Sequence, residues 1–233
     1  MTDYALYLAS GPQKRTTFVH APGLLGCAYQ RPTTEGAMGA AQDEIRAFRA
    51  FLSLHGGDVD RGGEFTVSVA EHDTSGRFPG SGGMATDVEP CSEEECQGLV
   101  ARLEWIRDAT FALVDHLSAE EMTAAPEKGR PMDRILSHIL GADYSYLSAG
   151  GLKVPGLHAL YAAADRGEGD ARHILREATA RSMARLTAMT VEERERVVER
   201  STGRWTARRM LRRLLEHNWE HYREIRDRRE GPG

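Results

Sequence analysis

From about residue 90 to residue 230, apolar side chains return every three or four positions. Leu99, Leu103, Ile106, Leu113 and Leu117 form one such stripe behind Ser92 and Glu95, which read as a capping box. A second stripe, Met132, Ile135, Ile139, Ala142 and Tyr146, starts at Pro131, placed as a first helical residue. A third follows Asp170 through Ile174, Ala178 and Leu186, and a fourth runs from about Thr206 to Asp227. Shorter capping-box segments at Ser118/Glu121 and Thr190/Glu193 predict small connecting turns. Four helices of roughly 18 to 25 residues fit a four-helix bundle, here expected over residues 91–233.

Upstream the period changes. "YALYLAS" is a short β-prone run, and "EFTVSVA" alternates Phe65, Val67 and Val69 with Thr66 and Ser68, as a half-buried strand does. Between them Met38, Ala41, Ile45, Phe48 and Leu52 are spaced as one helix face, stopped by Gly56 and Gly57. Residues 1–73 therefore predict a small α+β domain, a sheet with a helix. The stretch 74–90, "TSGRFPGSGGMATDVEP", lacks periodicity and is rich in Gly, Pro and Ser, as a linker would be. The expected fold class is an α+β N-terminal domain followed by an all-α bundle.

Composition narrows the function classes. The chain has 233 residues, 40% hydrophobic and 28% charged, with mean hydropathy −0.49, and no segment reaches the ~18 apolar residues needed to span a bilayer. The N-terminus has no basic stretch followed by an apolar one, so no signal peptide is expected. Three cysteines, Cys27, Cys91 and Cys96, make neither a disulfide framework nor a metal knuckle, and a reducing, cytoplasmic setting is expected. All but three of the 30 basic side chains are arginine, and many crowd into "RWTARRMLRRLLEHNWEHYREIRDRRE". Glutamates alternate with them there and the net charge is −5, which argues for a solvated, salt-bridged helix face and against a nucleic-acid partner.

The last helix carries the chemistry. Met210, Leu214, His217, His221 and Ile225 are spaced 4, 3, 4, 4, so His217 and His221 share the face that should enter the core, about one turn apart. A buried polar group without a partner costs ~1–3 kcal/mol. A metal ion bound by both imidazoles would account for two at once. The spacing alone is weak, because i, i+4 histidines also arise by chance and a core histidine can bond a carbonyl. His138, among Leu136, Ile139 and Leu140, offers a third ring from a second helix. His116, His158 and His173 lack such surroundings and read as surface or helix-end residues, while His20, His55 and His72 belong to the first half. Glu220 and Glu224 follow His217 and His221 by three, within reach to orient a ring or relay a proton, or else to pair with Arg223 and Arg228. Spacing leaves the direction of Asp143 and Tyr144 open and assigns no catalytic base.

These residues resemble the DinB/YfiT-like superfamily over about 92–229. "SHILGADYSYL" supplies His138, and "RWTARRMLRRLLEHNWEH" supplies the HxxxH pair His217 and His221. The resemblance implies an up-and-down bundle, often dimeric, that binds zinc, nickel or iron. Its relatives include thiol S-transferases, a maleylpyruvate isomerase and metal-dependent hydrolases. "VHAPGLLGCAYQRPTTEGAMGAAQDEIRAF" is similar to the HicB-like fold, a strand entering a bend at Pro22, Gly23 and Gly26, with Thr33 and Thr34 opening the helix. That family includes antitoxins with a DNA-binding tail; a helical bundle stands here in the tail's place, and a binding or dimerisation module is expected instead.

The expected function is thus a metal-dependent enzyme with ligands His138, His217 and His221, acting on a small molecule through activated water or a small thiol, as a hydrolase or thiol transferase. The alternative is a binding or regulatory protein whose first domain docks a protein partner while the bundle dimerises or senses metal. A homodimer is expected, and no membrane association.

Overall fold

Chain contacts divide the molecule into one unit of Met1–Glu89 with Glu199–Trp205, and another of Pro90–Val198 with Thr206–Gly233. The structure, a computed structural model, describes residues 1–12, 15–57, 59, 61–76 and 83–231.

In the first unit a four-stranded sheet has the order β3-β2-β1-β4, formed by β1 (Thr2–Ser10), β2 (Thr17–His20), β3 (Ala28–Arg31) and β4 (Phe65–Asp73). β1 pairs antiparallel with β2 and parallel with β4, and β2 pairs antiparallel with β3. Tyr4, Leu6, Leu8 and Ser10 of β1 point to the buried face, alternating with more exposed neighbours as the two-residue strand period requires. Helix α1 (Thr34–Leu54) packs on β2, β3 and β4. Its cap is Thr33, whose side chain accepts the Gly36 amide at 3.0 Å. At the other end Gly56 takes φ +82° and the Gly57 amide reaches back to the Leu52 carbonyl at 2.9 Å, a Schellman closure that Gly56 supplies without strain. In the bend before β3, Pro22–Leu24 form a 3-10 turn and Gly26 sits at φ +104°.

Two details of this unit depart from the periodic reading. Ala37 rather than Met38 begins the fully buried face of α1. Val69 is 48% exposed, because β4 is an edge strand and its register with β1 shifts between Leu6 and Tyr7. The middle of the expected linker, residues 77–82, lies outside the described residues. Towards its end, Ala85–Val88 form a 3-10 turn in which the Asp87 carboxylate accepts the Met84 amide at 2.8 Å.

The second unit is helical: α2 (Glu93–Val114), α3 (Ala119–Thr123), α4 (Met132–Ala149), α5 (Leu157–Arg166), α6 (Ala171–Thr187), α7 (Val191–Glu195) and α8 (Ala207–Glu230). The four long helices contact pairwise, α2 with α8, α8 with α4, α4 with α6 and α6 with α2. Ile106, Ile135, Leu136, Leu211 and Leu215 are essentially inaccessible, each side chain contributing ~1.5–3 kcal/mol by its burial. Ser118/Glu121 and Thr190/Glu193 are reciprocal capping boxes that start α3 and α7. At α2 only half the box is made. Ser92 accepts the Glu95 amide, while the Glu95 carboxylate pairs instead with Arg208 at 2.7 Å. Pro131 is the cap of α4 rather than its first residue.

Two elements were not expected. Helix α5 is a short alanine-rich turn of chain between Gly156 (φ +76°) and Gly167 (φ +71°), and Gly141 gives its Tyr161 room against α4. A hairpin, β5 (Val198–Arg200) with β6 (Gly203–Trp205), precedes α8, and its residues 199–205 group with the first unit, not with the expected domain 91–233. No helix is long and apolar enough to cross a membrane among the described residues.

Candidate metal centre

Helix α8 begins at Thr206, which caps it by accepting the Arg209 amide. The stripe Met210, Leu214, His217, His221 and Ile225 is buried throughout. The arginine-rich stretch differs from a solvated face: Arg209 and Arg212 are each 1% exposed, with Arg212 paired to buried Glu216 at 2.7 Å. A helix buried around most of its circumference draws even its arginines inside, and ion pairing offsets part of their desolvation.

His138 of α4 meets the pair on α8. Its Nε2 lies 3.1 Å from His217 Nε2, which lies 3.1 Å from His221 Nε2, and the candidate ligand atoms of all three are within 4.8 Å of one another. His217 and His221 are buried, whereas His138 is exposed, so the cluster has one open side. Desolvation foremost, then the neighbouring rings and Arg213, hold His217 well below the usual imidazole range. Burial, His221 and Arg130 bring His138 down to about 4. Both rings are therefore neutral at pH 7 and present lone pairs.

Proton bookkeeping shows that the cluster does not satisfy itself. Glu224 accepts from His221 Nδ1 at 2.7 Å, so the Nε2 of a neutral His221 carries a lone pair. His217 Nδ1 is buried and has no hydrogen-bond partner. If His217 bears its proton on Nδ1, that donor is orphaned and two Nε2 lone pairs face each other at 3.1 Å. If on Nε2, an acceptor is orphaned instead. A cation at the meeting point takes all the Nε2 lone pairs, which leaves the proton of His217 on its buried Nδ1 still without a partner. Two nitrogens held by one ion at ~2.0–2.1 Å stand ~3 Å apart, which is the spacing found. The donor set fits a divalent metal.

The surrounding residues hold the rings. Glu224 is itself tied to Arg228, and its hydrogen bond with His221 keeps its carboxyl below the ordinary carboxylate range. It thus does both jobs open to it from spacing, orienting a ring and pairing with an arginine. Glu220 is half-buried, and desolvation pushes its carboxyl up. Tyr146 stands edge-on to His217, with ring centroids 5.9 Å apart, and its hydroxyl accepts from Arg213 at 2.9 Å. Asp143 turns inward to Arg107, and Asn218 donates to its other oxygen at 3.1 Å. Tyr144 turns elsewhere, stacking on Tyr161 of α5. His116, His158 and His173 are exposed and lie outside the cluster. Sequence reasoning missed the Arg107–Asp143–Asn218 network. Its one signal was an arginine beside the apolar stripe of α2. Neither protein-family models, curated proteins nor solved structures yield a match to this chain.

Proposed function

We propose that the second unit is a four-helix bundle of the DinB/YfiT-like type that holds a divalent metal on His138, His217 and His221 and uses it enzymatically, in hydrolysis or in transfer of a small thiol. The observation that carries this reading is the convergence of three imidazole Nε2 atoms, with 3.1 Å steps between them, on two packed helices. The closed ring of contacts among α2, α4, α6 and α8 supports the bundle, and the small sheet with α1 supports a HicB-like binding module in the first unit.

When bound, a divalent cation supplies Lewis acidity that brings a coordinated water or thiol towards a pKa of ~7. The chain's own residues prepare the place. Glu224 holds the proton on His221 Nδ1 and so fixes the tautomer that offers Nε2. Burial of His217 and His221 keeps water off two sides of the cluster, and the exposed ring of His138 marks the side from which a small molecule enters.

Elemental analysis of the purified protein tests the site. One zinc, nickel or iron ion per chain is expected in the wild type and none in His138→Ala/His217→Ala/His221→Ala; metal retained by the triple variant overturns the ligand assignment. Turnover on a panel of thiol acceptors, esters and amides with the metal-loaded protein tests the enzymatic claim. Stoichiometric metal without turnover on any of them would instead support the binding or metal-sensing role.

A further inference from the structure

At the start of α2 two cysteines stand where helices commonly carry a hydrophobic staple. Ser92 is the cap, so Cys91 immediately precedes it and Cys96 is the fourth helical residue. Side chains at those two positions pack on one another across the first turn. Both are free and buried, 3% and 4% exposed. The thiols interact directly: Cys91 gives its hydrogen to Cys96, which raises the Cys91 thiol and lowers that of Cys96. Burial and the Glu95 carboxylate push Cys96 back up, while Arg194 and Arg208, paired with Glu93 and Glu95 of the same turn, pull it down. A low-pKa sulfur near a helix N-terminus and cationic side chains is the one that reacts first. Cys96 also borders a small pocket whose walls include Glu93, Gln97, Leu186, Met189 and Arg194, while Cys91 does not line it. A leucine pair would staple the helix equally well; a cysteine pair adds chemistry.

We propose that Cys91 and Cys96 form a redox-active dithiol that exchanges with small disulfides and closes to a disulfide across the first turn of α2. The Cys96 thiolate attacks one sulfur of R–S–S–R, breaking that bond and releasing one RS⁻, and is left as a mixed disulfide. Cys91 loses its proton to solvent and attacks Cys96 Sγ, displacing the second RS⁻. Two protein thiols are oxidised, one small disulfide is reduced to two thiols, and the sulfurs close to the ~2 Å of a covalent bond.

The test uses the full chain, reduced and then incubated with hydroxyethyl disulfide. Remaining thiols are alkylated in denaturant and the protein is cleaved after glutamate. Because Glu93, Glu94 and Glu95 lie between the two cysteines, cleavage separates them unless they are bonded. The expected result is a loss of about 2 Da, two fewer alkylated cysteines, and fragments of Cys91 and Cys96 that stay joined until reduced. Cys91→Ser should retain one small-thiol adduct on Cys96, and Cys96→Ser should acquire none on Cys91 in the same time. Full alkylation after oxidation, separate adducts on both cysteines, or a bond that includes Cys27 would overturn the proposal. Labelling of Cys91 in Cys96→Ser at the wild-type rate would overturn the assigned order of attack.

Discussion

At the scale of single residues, Glu224 and the Arg107–Asp143 pair bear the clearest consequences. Glu224 does not reach the meeting point of the rings; it bonds the far nitrogen of His221. Losing such an outer partner weakens metal affinity by roughly 10–100-fold without abolishing it. Glu224→Gln is therefore expected to keep its metal in elemental analysis yet surrender it to a chelator at roughly tenfold or more lower concentration. An unchanged chelator titration would remove Glu224 from the site. Arg107 and Asp143 are buried charges, 1% and 6% exposed. Desolvation pushes the Asp143 carboxyl up while Arg107 and the Asn218 amide pull it back. Removing one partner strands the other, so Asp143→Ala should lower unfolding free energy by ~3–5 kcal/mol, whereas Arg107→Met/Asp143→Leu should lower it far less. Equal losses in chemical denaturation would show that packing, and not the uncompensated charge, sets the cost.

At the scale of elements, caps and close approaches decide where helices begin and how near they lie. Asp170 caps α6 by accepting the Arg172 amide at 2.8 Å, and hydrogen bonds from Arg172 hold its carboxyl down at about 2. A carboxylate whose folded pKa lies below its ordinary value stabilises the fold fully above that ordinary value, and the contribution fades as pH falls through the folded one. Asp170→Ala should thus cost ~0.5–2 kcal/mol at pH 7. The gap from wild type, followed by urea unfolding, should narrow as the pH is taken from 4 towards 2. A gap that widens on acidification would contradict the sign. Gly141 is the second case. A Cβ there would come 2.7 Å from a ring carbon of Tyr161, so Gly141→Ala should destabilise by ~1–3 kcal/mol despite alanine's better helix propensity. Helix α5 itself was hard to anticipate for a local reason. Its apolar residues are mostly alanines, which carry little periodic signal, and its ends are set by Gly156 and Gly167 in left-handed conformations.

At the scale of the whole molecule, the proposed metal couples to folding. A ligand that binds only the native state adds ~2.7 kcal/mol at a free concentration one hundred times its Kd. The melting temperature of wild-type protein should rise when zinc or nickel is added and fall on chelation. The triple histidine variant should show neither change. A metal-induced shift of the same size in that variant would place binding elsewhere. In calorimetry, the unfolding that involves the helical unit, which holds all three histidines, is the one expected to move.

Much of this was legible along the chain. The face Met210–Leu214–His217–His221–Ile225, the cap at Thr33, the short capping boxes and the stop at Gly56 and Gly57 are local matters, governed by a period of 3.6 residues or by hydrogen bonds spanning three to five positions. His138 was legible only as a candidate, since its distance to His217 depends on how α4 meets α8. The inward turn of Asp143, the burial of Arg209 and Arg212, the exposure of Val69 and the placing of the β5–β6 hairpin were decided by tertiary structure. Each depends on what lies across from the residue, and 3.1 Å between nitrogens 79 positions apart is a property of packed helices, not of the intervals between letters.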